Sequence, residues 1–66
     1  MKLVSSDKGA LVLSLSRDEL LAINNSLNEV CHGVAIPGFE SRLGVTREDV
    51  AEILASVGRV LQETAG

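Results

Sequence analysis

With 66 residues and 45% apolar content, the chain has room for one domain with a core and does not have a disordered composition. A net charge of −3 and a single aromatic, Phe39, remove the two usual footprints of a nucleic-acid binder, a basic patch and stacking rings. One cysteine excludes an internal disulfide, and a core this small supplies only about 3–5 kcal/mol, so self-association is the expected staple.

The opening stretch MKLVSSDKGALVL does not read as a secretory leader. One lysine and two apolar residues precede Ser5, Ser6, Asp7 and Lys8, far short of an apolar signal core. No apolar run approaches the roughly 20 residues that span a bilayer. The polar helix faces are acidic-rich, which repels anionic headgroups, so no membrane partner is expected. An unpaired cysteine suits a reducing compartment, and the expected location is the cytoplasm.

Residues 3–15 are expected to form a β-hairpin. ALVLSL alternates with period two, placing Leu11, Leu13 and Leu15 on one face and Val12 and Ser14 on the other. KLVSS supplies the weaker partner strand, and DKG suits a three-residue turn with Gly9 at the positive-φ position. A lone hairpin is marginal in water, so helices are expected to cover its leucine face, while its edges stay free to pair with another copy.

Two helices follow, over about residues 17–32 and 47–63, each with a marked start. LSRDEL is a capping box, with Ser16 as cap, Glu19 reaching back, and Leu15 and Leu20 as hydrophobic staple. VTREDV repeats the device with Thr46, Asp49, Val45 and Val50. Gly33 fits a C-terminal cap for the first helix. Between the helices, Ile36 before Pro37 is extended, and FESRL makes one helical turn over 39–43, closed by Gly44. The expected fold is α+β, a single ββαα domain over 1–66 with the hairpin packed by two helices.

Helical spacing gives the faces. Leu20, Ile23, Leu27, Val30 and Cys31 form the core stripe of the first helix; Val50, Ile53, Leu54, Val57, Val60 and Leu61 form that of the second. Leu21, Asn25, Asn28 and His32 make a separate strip, and Ala51, Ala55 and Gly58 flank the second helix with small side chains. These two strips are the candidate interfaces, for a homodimer or for another protein.

Cys31 and His32, the only cysteine and the only histidine, are the most reactive neighbours in the chain. Adjacent helical residues diverge by about 100°, so they do not form a nucleophile–base pair. Cys31 falls in the core stripe, and His32 sits where an imidazole complements the helix dipole. EVCH is also Glu-x-x-His, the spacing of di-iron bundles, with Glu48 or Glu52 from a second copy as further ligands; Glu29, however, faces away from the apolar stripe. Asp18–Glu19 and Glu48–Asp49 are explained by capping. No phosphate-binding, dinucleotide or nucleophile-elbow motif occurs. The expectation is no catalysis, no metal and no cofactor.

FESRLGVTREDVAEIL, residues 39–54, resembles the turn and second helix of helix-turn-helix regulators, with Leu43 and Gly44 in the turn, VT opening the helix, and Val50 and Ile53 at matching aliphatic positions. The resemblance covers 16 of 66 residues. It implies a recognition helix in which Thr46 and Arg47 contact nucleic acid. The first helix of the pair is only one turn, and Glu40 stands where a small residue is usual. The groove-facing set Thr46, Arg47, Glu48, Ala51, Glu52 and Ala55 carries one base against two carboxylates, and phosphate neutralisation dominates such affinity. The expected role is therefore a small cytoplasmic interaction or regulatory module, homo-oligomeric, with an unidentified protein partner. An acidic helix-turn-helix protein is the alternative.

Overall fold

The computed structural model describes residues 1–65 and shows an antiparallel two-stranded hairpin followed by helices. β1 spans Lys2–Asp7 and β2 spans Ala10–Ser14. α1 runs Arg17–Asn28 and continues into a π-helical turn, Glu29–Gly33. The one-turn α2 covers Phe39–Leu43, and α3 covers Arg47–Glu63.

The hairpin turn is tighter than DKG suggested. Asp7 pairs directly with Ala10, leaving a two-residue turn in which Lys8 (φ 49°) and Gly9 (φ 83°) are both left-handed. Such a turn follows the twist of its strands but needs positive φ at both positions, which holds lysine in a conformation costing about 1–2 kcal/mol. The pairing continues Ser6–Leu11 and Ser5–Val12, then slips past Val4 as a bulge before Leu3–Leu13 and Lys2–Ser14. Leu3, Leu11 and Leu13 thus share one face.

Both helix starts carry complete capping boxes. The Glu19 N–H donates to Ser16 Oγ at 3.0 Å, and the Ser16 N–H donates to the Glu19 carboxylate at 2.9 Å. At α3 the corresponding distances are 3.0 Å, from the Asp49 N–H to Thr46 Oγ1, and 3.4 Å, from the Thr46 N–H to the Asp49 carboxylate. Local side chains thereby satisfy amide groups that no preceding turn can reach.

The first helix ends differently from expectation. Gly33 does not take the left-handed capping conformation; α1 instead widens after Asn28, and the Val34 N–H donates to the Glu29 carbonyl at 3.0 Å. A Cβ at position 33 would run into the Glu29 carboxylate, so glycine here permits a close approach. Gly44, at φ 77°, does close α2 in the left-handed region.

α1 and α3 run antiparallel, clasped at both ends by arginines. Arg17 Nη2 donates to the Leu61 carbonyl at 3.0 Å, and Arg47 Nη1 donates to the Cys31 carbonyl at 3.2 Å. Leu20, Ile23, Leu27, Val30 and Cys31 are half-buried against α3, as their stripe predicts. From α3 the inward set is narrower than expected: Val50, Leu54, Val57, Gly58 and Leu61. Ile53 and Val60 lie on the edge of that stripe and are exposed, because a single facing helix covers a narrower arc than the sequence stripe spans.

The expected cover of the leucine face is also absent. Every strand residue is exposed, and neither strand packs extensively on a helix. Each helix has one apolar stripe, and those stripes are spent on each other. Only Phe39 and Val50 are buried among the described residues, and neither is completely enclosed. The molecule is accordingly flat, 34 × 32 × 16 Å, with a radius of gyration of 13.2 Å where a compact 66-residue chain has about 11 Å.

Candidate functional site

The cysteine–histidine segment lies in the π turn. Cys31 is a half-buried free thiol whose carbonyl is taken by Arg47, and His32 is exposed. That carbonyl is among the last of the helix and has no partner within it, so it is open to a side-chain donor. The Arg47 guanidinium also lies over the Phe39 ring, 4.4 Å from its centroid, so one side chain ties the start of α3 to α2 and to the end of the first helix. Among the described residues, no three His, Cys, Asp or Glu side chains converge as a metal-binding group.

Thr46 and Arg47 are therefore occupied. The Thr46 hydroxyl accepts the Asp49 amide, and Arg47 is engaged within the fold. α2, the counterpart of the first helix in a helix-turn-helix, has five residues.

Leu21, Asn25, Asn28 and His32 are all exposed along the first helix, and Ala51 and Ala55 are exposed on α3. In an antiparallel pair, positions rotated the same way from each buried stripe lie on the same side. Leu21, Asn25 and Asn28 therefore share a flank with Ala51 and Ala55. Gly58 is placed otherwise: it is half-buried opposite Asn24, and a Cβ there would stand 4.0 Å from the Asn24 Oδ1. It belongs to the α1–α3 packing, not to the outer band.

The opposite flank carries more apolar surface. Ile53 and Val60, seven residues apart, share one face of α3, and Ile53 is 47% exposed. Val60 joins Leu13, Leu15, Arg17, Leu20 and Thr64 around a groove of about 250 Å³ at the hairpin–helix junction. Ile53 joins Val45, Val57 and Ser56 in a wider groove of about 490 Å³ rimmed by Asp49 and Glu52. Beyond the first groove the hairpin face continues through Leu3 and Leu11, 57% and 66% exposed. The result is an apolar tract running from the hairpin tip along one flank of α3.

Sequence reasoning missed this tract because it assigned Ile53 and Val60 to the core and the leucine face to intrachain cover. The available signal was the breadth of the α3 stripe, which exceeds what one neighbouring helix buries.

At the base of the hairpin, the Met1 amino group is paired with the Glu19 carboxylate. That pairing and the Ser16 backbone N–H hold the Glu19 carboxyl at about 2 against an ordinary 4.5. No helix among the described residues is long and apolar enough to cross a membrane. Comparison with protein-family models, with curated proteins and with solved structures finds no match.

Proposed function

We propose that this chain is a small non-catalytic protein-interaction or regulatory module that acts as a homodimer in the cytoplasm and completes its core in complex. The apolar tract carries this reading. Its leucines, valines and Ile53 line two shallow, open grooves edged by Arg17 and Thr64 in one and by Asp49, Glu52 and Ser56 in the other, a mixture of apolar floor and polar rim suited to packing against protein. The unpaired half-buried Cys31 favours a reducing compartment. The net charge of −3 and the engagement of Arg47 weigh against nucleic acid as partner. The acidic rim of Asp49 and Glu52 around Ile53 suits a protein surface with aliphatic anchors and flanking lysines or arginines.

The test is affinity capture with the tagged full chain from lysate of the source cells, with and without nuclease, alongside an Ile53→Asp variant. Recovery of a stoichiometric protein that survives nuclease and is lost with Ile53→Asp supports the module and its α3 surface. Recovery of nucleic acid, with proteins lost on digestion, overturns it in favour of the helix-turn-helix alternative.

A further inference from the structure

We propose that the second copy docks on the free edge of β2, so that Ala10–Ser14 pairs antiparallel with its own counterpart about a twofold axis through Val12. This rests on the reading above that the chain self-associates, and it names the surface.

The two edges of the hairpin differ. β1 ends in Lys2 and Asp7 and is interrupted by the bulge at Val4, all devices that blunt an edge. β2, ALVLS, carries no charge, no proline and no bulge. It is the open template of the pair.

The two-residue turn also sets which backbone groups reach that edge. Closure by Asp7–Ala10 makes those residues a hydrogen-bonded pair, and antiparallel alternation then makes Ser5–Val12 the next one. Val12 therefore spends its N–H and C=O on β1, while Leu11 and Leu13 turn theirs outward. A twofold axis through Val12 sets Leu11 opposite the partner's Leu13, and each such pair exchanges both hydrogen bonds. The operation is self-complementary, as a closed dimer requires.

The same pairing extends the leucine face. Leu11 and Leu13 of both copies come to lie on one side of a sheet ordered β1–β2–β2–β1. Antiparallel register places the partner's Leu15 beside Gly9, so each helical layer approaches the far end of the other hairpin. That end is where exposure is greatest, at Leu11. The second copy brings apolar cover to the region that the chain's own helices do not reach.

Area agrees with this assignment. The chain exposes 5039 Å², where a folded 6.9 kDa monomer exposes about 4,000 Å². The excess, about 1,000 Å² over the whole flat molecule, is enough to supply the roughly 800 Å² per partner of a standard interface. The opposite flank has one large apolar residue, Leu21, among Asn25, Asn28 and His32, and is left to solvent.

The experiment combines sedimentation equilibrium of the full chain with directed cross-linking. Across a non-hydrogen-bonded antiparallel pair, Cβ atoms approach to about 4.5–5.5 Å, close enough for a disulfide after slight adjustment. In a Cys31→Ser background, Val12→Cys is expected to oxidise to a covalent dimer, and Ser5→Cys, on the far strand, is expected not to. A chain made by total synthesis with N-methyl-leucine at position 13 loses an outward donor but keeps its side chain. It should show a dimer Kd raised at least about tenfold with an unchanged circular dichroism spectrum. A dimer that neither cross-links through Val12→Cys nor weakens on N-methylation overturns the edge assignment and leaves self-association standing. A monomer at tens of micromolar overturns both.

Discussion

The helical pair and the hairpin obey the same local rules and end in opposite states. Each is well specified: two complete capping boxes start the helices, and a two-residue turn with an alternating second strand forms the hairpin. The helices then bury their stripes against each other and are clasped at both ends by Arg17 and Arg47. The hairpin keeps its leucines in water. Local specification and burial are thus separable, and a chain can complete one element within itself while leaving the next unfinished.

Breaking the helical side should give the largest effect. Phe39→Ala removes the only buried ring, and with it the platform for Arg47, so we expect a loss of about 3–5 kcal/mol, enough to unfold a domain of this size. Denaturant unfolding followed by circular dichroism measures it; a loss below about 1 kcal/mol would show that the core lies elsewhere. Arg47→Ala keeps the ring but removes the donor to the Cys31 carbonyl, and should lower stability by about 1–2 kcal/mol. Protection of the amides of the π turn against hydrogen exchange should fall with it.

Gly58→Ala sharpens the comparison in the other direction. The position is in a helix interior and has ordinary contact distance to Asn24, so the added methyl should stabilise by about 1 kcal/mol and raise the melting temperature. A destabilised variant would mean that α1 and α3 approach more closely than their packing shows.

The junction between the two regions should respond to acid. Glu19 has a folded-state pKa of about 2, below its ordinary 4.5, so its contribution is present above about pH 4.5 and disappears as pH falls toward 2. The carboxylate is exposed, so salt should weaken the effect. Glu19→Gln should flatten that part of the pH–stability curve. The smallest effect belongs to the hairpin: at concentrations where the chain is monomeric, Leu11→Ser should change stability by less than about 0.5 kcal/mol, because the side chain is 66% exposed.

Much of the secondary structure was legible. The expected helices over 39–43 and 47–63 stand beside observed spans of Phe39–Leu43 and Arg47–Glu63, because caps and glycine stops are written in adjacent residues. The end of the first helix was not legible. Gly33 at the end of the first helix permits either a left-handed cap or a widened turn, and the segment that packs there, with Arg47 donating to the Cys31 carbonyl, comes from sixteen positions along the chain. The two-residue turn was missed because lysine at a positive φ is locally unfavourable and is retained only by the pairing around it. Of the candidate surface, Leu21, Asn25, Asn28, His32, Ala51 and Ala55 are exposed and Gly58 is half-buried between the helices, while Ile53 and Val60, expected in the core stripe, lie outside it.

By itself, the sequence determined where each element starts, its period, its charge balance, and the lack of any motif for cofactor or nucleophile. Those properties depend on neighbours within a few residues, which local spacing encodes. Tertiary structure decided which apolar faces meet. A helix stripe can be covered by any other, and only the antiparallel closure of α1 on α3 shows that Ile53, Val60 and the hairpin leucines are left over. That remainder depends on how much area one helix covers of another, a quantity no single segment contains.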